Sequence, residues 1–279
     1  MDTLVGGLMP TQPDSATRHI RSVHQISDIG FRRAMEDRHV LEIRPGVGLF
    51  GGVYDGHGGV EAAEFVAASL HEAVFQAVEA GVPPPEAFRQ AYSTVEEQLQ
   101  GIESGATAAT VFLRKDELSF AHVGDGGILL VAAEAISLTE PHRVDHPAER
   151  SRIIRAGGEI EGGYVIRGLR GLMPTRSFGD NYFRPVGVMA VPAVGERRLS
   201  ADHRFLVVAC DGLFDVLEGD EIAQVFLQSP GAQEGGEALQ EQVFARGGTD
   251  NLTILVIEFG TGNDRSTAAT ASPPERMDS

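Results

Sequence analysis

The 279-residue sequence predicts an α+β fold, and two patterns carry that expectation. Short apolar runs rich in β-formers come in groups separated by tight turns, the spacing of antiparallel meanders. Helical periodicity falls between those groups and does not alternate with single strands, which argues against a doubly wound parallel sheet. No internal repeat is visible, and the length suits one domain or at most two.

The elements follow in order. Residues 1–20 are a polar lead-in without a basic start and apolar core, so no secretory leader is expected. Residues 39–54 read as two strands, with Val40, Leu41 and Ile43 before a turn at Pro45-Gly46 and an apolar run into Asp55 after it. Ala63, Val66, Leu70, Val74 and Val78 recur at three- and four-residue steps and predict a helix. Gly81 and Pro83-Pro84-Pro85 close it, and residues 86–100 read as a second helix. Strands are predicted over 106–113, 118–123 and 128–132, then a helix over 147–156 stopped by Gly157-Gly158. Residues 159–187, rich in Gly and Arg and lacking a long apolar face, read as a mobile surface region beside a site. The run from Phe205 to Cys210 is a strand, helices are predicted near 213–217, 221–227 and 237–244, and Leu252–Phe259 is the last strand. Residues 261–279, mostly small, polar or proline, predict disorder.

Composition narrows the function classes. Forty acidic against 23 basic residues give a net charge of −17, which argues against general affinity for nucleic acid or anionic membranes. No stretch approaches the roughly 18 uninterrupted apolar residues of a membrane span. The single cysteine, Cys210, excludes an intrachain disulfide and a cysteine-based zinc cluster. Its apolar surroundings read as those of a buried structural thiol, in a reducing compartment.

The chemistry concentrates where apolar runs end. Asp55 follows Val53-Tyr54, Asp211 follows Ala209-Cys210, and Asp250 precedes Asn251-Leu252. Carboxylates at the ends of buried strands are costly to desolvate unless something neutralises them, and a shared metal site is the economical explanation. In Glu36-Asp37 an extended backbone points the two side chains apart, so one would ligate directly and the other through a water. Ion pairs with Arg32, Arg33 or Arg38 explain that segment equally well. Arg32 also suits a phosphate clamp, because guanidinium matches phosphate oxygens bidentately. In Asp55-Gly56-His57-Gly58-Gly59 the glycines allow close backbone approach, the Gly56 carbonyl adds an oxygen ligand, and His57 can protonate a leaving group. A glycine turn with an incidental histidine is the bland alternative. An oxygen-only ligand set suits Mg²⁺ or Mn²⁺, not zinc. His122, His142, His146 and His203 lack a paired helical spacing and read as surface or packing residues.

Arg32-Arg33-Ala34-Met35-Glu36-Asp37, Asp55-Gly56-His57-Gly58-Gly59, Gly124-Asp125, Arg176-Ser177-Phe178-Gly179-Asp180, Asp211-Gly212 and Asp250-Asn251 occur in the order found in metal-dependent protein serine/threonine phosphatases of type 2C. The chain resembles that family over residues 22–259. The resemblance implies a four-layer α-β-β-α sandwich, two central antiparallel sheets flanked by helices, in one catalytic domain over residues 21–260. It implies two Mg²⁺ or Mn²⁺ ions: Asp55 bridging both, Asp211 and Asp250 on one, Glu36 and the Gly56 carbonyl on the other, with Asp37 acting through a water. Arg32 would bind the substrate phosphate and His57 would protonate the leaving Ser or Thr oxygen. Attack would be in line, by a water or hydroxide bridging the ions, with no phosphoenzyme. Asp125, with Asp211 and Asp215, would hold a weaker third metal, and residues 159–175 correspond to a variable flap. Phosphoprotein substrates, a monomeric state and a cytoplasmic or nuclear location are the matching expectations.

Three segments depart from the family pattern. Gly126-Gly127 stand where Ser-Arg is usual, which removes an anchor and predicts a looser Asp125 loop. Pro141 stands where Asp is common, and Pro174-Thr175 precede Arg176 where an apolar residue and Ser are usual. None touches the principal carboxylates, so an active enzyme is expected over a non-catalytic binding module. Hydrolysis of small phosphate esters shares the chemistry and is separated from protein dephosphorylation only by substrate profiling.

Overall fold

Residues 20–260 are described by a computed structural model; the expected disorder of 261–279 and all but the last residue of the lead-in lie outside the described residues. Two five-stranded antiparallel sheets stack face to face. The first runs β14 (Ala193–Arg198), β7 (Glu117–Val123), β6 (Ala108–Arg114), β3 (Gly48–Tyr54) and β2 (Arg38–Arg44). The second runs β1 (Ile20–Asp28), β16 (Leu252–Phe259), β15 (Phe205–Ala209), β8 (Gly127–Val131) and β9 (Ala135–Ser137).

Period-two alternation explains why these strands read as unbroken apolar runs. In β16 Leu255 and Ile257 face the first sheet, while Ile254 and Val256 face the outer helices. The inter-sheet layer joins Leu49 and Val53 of β3, Val111 of β6 and Leu206 and Val208 of β15, all buried. Truncating such a residue, as in Leu255→Ala, costs about 3 kcal/mol through lost burial and the cavity left behind.

Helices cover both outer faces. α1 (Glu61–Glu79) and α2 (Pro84–Gln98) lay Val66, Leu70, Val74, Phe88 and Tyr92 on Phe50, Phe112 and Ala121 of the first sheet. The prolines predicted to end the first helix also begin the second, since Pro84 and Pro85 occupy its first turn, where no intrahelical donor is needed. α4 (Asp211–Phe214), α5 (Gly219–Gln228) and α6 (Ala232–Ala245) cover the second sheet through Leu213, Ile222, Phe226 and Leu239. The four layers are therefore as the resemblance implied.

Three departures have physical causes. β1, β9 and β14 are sheet edges, half-polar and short of a continuous apolar face, and the sequence reading left them out. α6 begins five residues before its predicted start, because Gly235 and Gly236 look like breakers. They permit close packing instead: a Cβ on Gly235 would meet the Phe226 ring at 2.4 Å, and one on Gly236 would meet His24 at 2.8 Å. The 159–187 segment holds an antiparallel sheet of β10 (Glu159–Glu161), β11 (Tyr164–Arg167) and β12 (Arg170–Leu172). Val165 and Leu172 pack there with Ile153 of α3 (Pro147–Arg155), Phe183 and Val188, while Leu169 at the hairpin tip is fully exposed. The remaining sheet, β13 (Phe178–Gly179), β5 (Gly105–Ala106) and β4 (Gly56–His57), leads into the cleft.

Candidate active site

Strand ends from both sheets meet at one edge of the sandwich. Asp55 follows β3, Glu36 and Asp37 precede β2, Asp250 precedes β16, and Asp211 follows β15 through Cys210. Asp125 lies in the turn from β7 to β8, and Asp215 caps α4. Arg32, Glu36, Asp55, Gly56, His57, Asp125, Asp211, Asp215 and Asp250 all line one cleft of about 700 Å³. Asp37 is the exception. It sits behind the wall, 3 % exposed, and neither carboxylate oxygen has a hydrogen-bond partner.

Buried carboxylates dominate the electrostatics. Burial, followed by the charges of Asp211, Asp37 and Asp125, raises Asp55 well above the ordinary carboxylate range. Asp211 is pushed up to about 7 by burial and then by Asp125 and Asp215. Burial also raises Asp37, with the nearby Thr253 and Cys210 side chains opposing it and Asp250 adding to it. A divalent cation reverses this penalty by supplying the countercharge, and only oxygen ligands are on offer. The orphaned oxygens of Asp37 and the grouped Asp55, Asp211 and Asp250 therefore fit hard divalent cations, with Glu36 and the Gly56 carbonyl beside them. A separate group, Glu42, His71 and Glu72, also brings ligand atoms within 4.8 Å of one another. It lies outside the cleft, and Arg44 already bonds Glu42 and Glu72 at 2.9 and 2.7 Å.

Neighbouring groups hold the cleft residues in place. Glu36 Oε1 accepts from the Gly59 amide at 2.7 Å. Asn251 accepts from the Glu36 amide at 2.9 Å and donates to the carbonyls of Ile29 and Ala34, tying the 29–36 loop to the start of β16. Arg32 forms an ion pair with Asp250 at 2.5 Å and remains 57 % exposed. The alternative of structural ion pairs near Glu36-Asp37 is met in a different form: Arg38 bonds Glu64 and the carbonyls of Met35 and Asp37.

His57 has a partner that the sequence reading quoted within a motif but gave no role. Its Nε2 lies 2.7 Å from Asp180 Oδ2, and that oxygen also accepts from Ser177 Oγ at 2.5 Å. Asp180 adopts a left-handed backbone, φ 46°, a strained state for a non-glycine residue. Gly105 makes room, because a Cβ there would sit 2.2 Å from Asp180 Oδ2 and 2.3 Å from His57 Nε2. Burial opposes protonation of His57, but the hydrogen bond and charge of Asp180 outweigh it and raise the imidazole above its usual value. Nothing in spacing could reveal this pair, which is 123 residues apart.

Around Asp125 the arrangement differs again. Arg143 Nε donates to Asp125 Oδ2 at 2.6 Å, its NH1 and NH2 groups fork onto Asp215 at 2.8 and 3.0 Å, and NH2 reaches Asp211 Oδ2 at 3.1 Å. The loosening predicted from Gly126-Gly127 is offset: Asp125 is buried and held by Arg143, and Gly124 exchanges hydrogen bonds with His142. A Cβ on Gly127 would strike the Phe214 ring at 2.5 Å, which accounts for glycine there. His122 and His142 are packing residues as expected, buried with their rings stacked 4.2 Å apart. Cys210 is buried, and burial with the neighbouring aspartates pushes its thiol well up.

Against known proteins, the family described as Protein phosphatase 2C matches residues 24–252. "Probable protein phosphatase 2C 59" of Arabidopsis thaliana is 32% identical over 246 residues, covering 84% of this chain and 78% of that protein. "Probable protein phosphatase 2C member 13, mitochondrial" of Oryza sativa is 32% identical over 243 residues, covering 82% of this chain and 66% of that protein. Among solved structures, serine-threonine phosphatase 2C from Toxoplasma gondii superposes with a TM-score of 0.77 at 24% identity, covering 88% of this chain and 97% of that one. No described helix is long and apolar enough to cross a membrane.

Proposed function

Because this chain belongs to the protein phosphatase 2C family, we propose that it hydrolyses phosphoserine and phosphothreonine esters of proteins with two Mg²⁺ or Mn²⁺ ions bound in the cleft. The observation that carries the reading is the carboxylate group: Asp55 and Asp211 raised by burial and by the charges of neighbouring aspartates, and Asp37 buried with both oxygens unpartnered. Asp55 would bridge the ions, Asp211 and Asp250 would hold one, and Glu36 with the Gly56 carbonyl would hold the other. When bound, the ions supply Lewis-acid screening of the phosphate and a reactive water for in-line attack.

The chain's own groups do the rest. Asp37, behind the wall, orients water in the first layer. Arg32 turns from Asp250 to the phosphate, which its fork matches better than a single carboxylate oxygen. His57 keeps Nε2 on Asp180, which leaves Nδ1 to give a proton to the departing serine or threonine oxygen. No phosphoenzyme is needed: the thiol of Cys210 is buried and its pKa is raised, leaving it a poor nucleophile. One chain supplies the full residue set, which supports action as a monomer, and the lone reduced cysteine agrees with a cytoplasmic or nuclear setting.

The test is hydrolysis of p-nitrophenyl phosphate and a phosphothreonine peptide with Mn²⁺, Mg²⁺ or EDTA, beside Asp211→Asn. Metal-dependent turnover of both, abolished in the variant, is the expected result. A folded wild type silent in every metal, or an Asp211→Asn enzyme of full activity, overturns the assignment.

A further inference from the structure

The cleft holds two acidic groups that share Asp211: in one, the exposed Arg32 pairs with Asp250 alone, and in the other a largely shielded arginine bonds three carboxylates at once. Arg143 places its guanidinium among Asp125, Asp211 and Asp215 with the four hydrogen bonds given above. Each of these is charge-assisted, and the fork onto Asp215 is bidentate, the geometry in which guanidinium binds carboxylate most strongly. Arg143 is not a mobile surface arginine, since its side chain is 22 % exposed. Its backbone is pinned as well. His142 gives its amide to the Gly124 carbonyl at 2.9 Å, and its own carbonyl accepts from the Thr175 amide at 2.7 Å and the Thr175 hydroxyl at 3.0 Å. The residue before the guanidinium is thus tied to the residue before Asp125.

A divalent ion ligated by Asp125, Asp211 and Asp215 would need oxygens already committed to Arg143. Mg²⁺ and Mn²⁺ bind carboxylate oxygens at about 2.1 Å in near-octahedral geometry, and no such ion can share that volume with a guanidinium. Asp211 meets both demands by giving Oδ2 to Arg143 and keeping its other oxygen for the principal pair. The third-metal expectation therefore does not fit the residues present.

We propose that Arg143 takes the place of the third metal, so that its guanidinium neutralises Asp125 and Asp215 and closes that position to Mg²⁺ and Mn²⁺. The number of remaining ions rests on the two-ion reading above, but the test reads only an increment and so separates the two claims.

Mn²⁺ bound per chain is counted by equilibrium dialysis of metal-stripped protein at low-millimolar Mn²⁺, with thermal melting to confirm folding. Arg143→Met and Arg143→Gln should each bind one ion more than the wild type, and adding Asp125→Asn should remove that extra ion. In the otherwise wild-type chain, Asp125→Asn alone should leave the count unchanged. Equal counts in wild type and both Arg143 variants would overturn the proposal. So would loss of an ion from the wild type on Asp125→Asn, which is read even where an Arg143 variant fails to fold. A wild-type count below two tells against the two-ion reading without affecting the increment.

Discussion

Asp55 and Asp125 follow two strands of the same sheet, β3 and β7, yet their surroundings solve the same problem differently. Both are carboxylates whose ordinary range is shifted upward, with burial as the largest cause. Asp125 meets a guanidinium at 2.6 Å. Among the described residues neither Asp55 nor Asp37 is paired with any Arg, Lys or His side chain. Arg143 makes the Asp125 group a fixed structural unit. The Asp55 and Asp37 carboxylates have no such partner, and on the function proposed above they take their countercharge from ions in solution. Burying charge without a partner is destabilising and is tolerated where function uses it, which supports the proposal that Asp55 and Asp37 belong to the catalytic end of the cleft.

The contrast predicts a graded series of losses. Asp55→Asn should reduce kcat on phosphothreonine peptide by about 10³-fold or more, because it would remove the carboxylate proposed to hold both ions and with it several kcal/mol of transition-state stabilisation; near-normal turnover by the purified variant would erase the distinction. Asp180→Asn should lower kcat on the peptide by about 10²-fold with KM little changed, and cost less on p-nitrophenyl phosphate, whose leaving group needs no proton. Equal losses on both substrates would mean that Asp180 supports the fold and not the proton transfer. Asp125→Asn should reduce kcat less than tenfold, an order-of-magnitude bound for a position that touches no reacting group, and steady-state kinetics beside Asp55→Asn makes that comparison directly.

A smaller effect tests the platform beneath the cleft. Glu149 is buried and accepts from Arg152, Thr175 and Arg176. Burial alone would raise its pKa, but those partners prevail and lower it to about 2. The folded value lies below the unfolded one near 4.5, so this group's stabilisation is full above that pH and is lost as pH falls toward 2. Glu149→Gln should remove about 3 kcal/mol at neutral pH and flatten the acid-unfolding curve over that window. Urea melts of both proteins across the acid range provide the check, and parallel curves would contradict the linkage.

How much of this was readable in sequence follows from where each interaction's information resides. The carboxylates were legible because each ends an apolar run: Asp55 after β3 and Asp211 after β15 break a period-two pattern that is buried on both faces. The central strands were legible for the same reason. The edges were not, since β1 and β14 carry half-exposed, charged residues and are specified by pairing to β16 and β7. Asp180 and Arg143 acquire their roles only through tertiary contact. Nothing local distinguishes Arg143 from any other basic residue after a histidine; its meaning comes from the stacked His122–His142 pair and the Thr175 contact that fix its backbone. Gly235-Gly236 show the opposite case, since a breaker signal and a close-packing signal use the same residue.

The most direct measurement is turnover of a phosphothreonine peptide by metal-stripped protein as Mn²⁺ is restored, with the wild type and Asp55→Asn titrated side by side. The account predicts no activity without metal, recovery as Mn²⁺ is added to the wild type, and no recovery in Asp55→Asn at any concentration. Full turnover by the stripped wild type, or equal recovery in the two proteins, would contradict the claim that the unneutralised carboxylates are the catalytic centre.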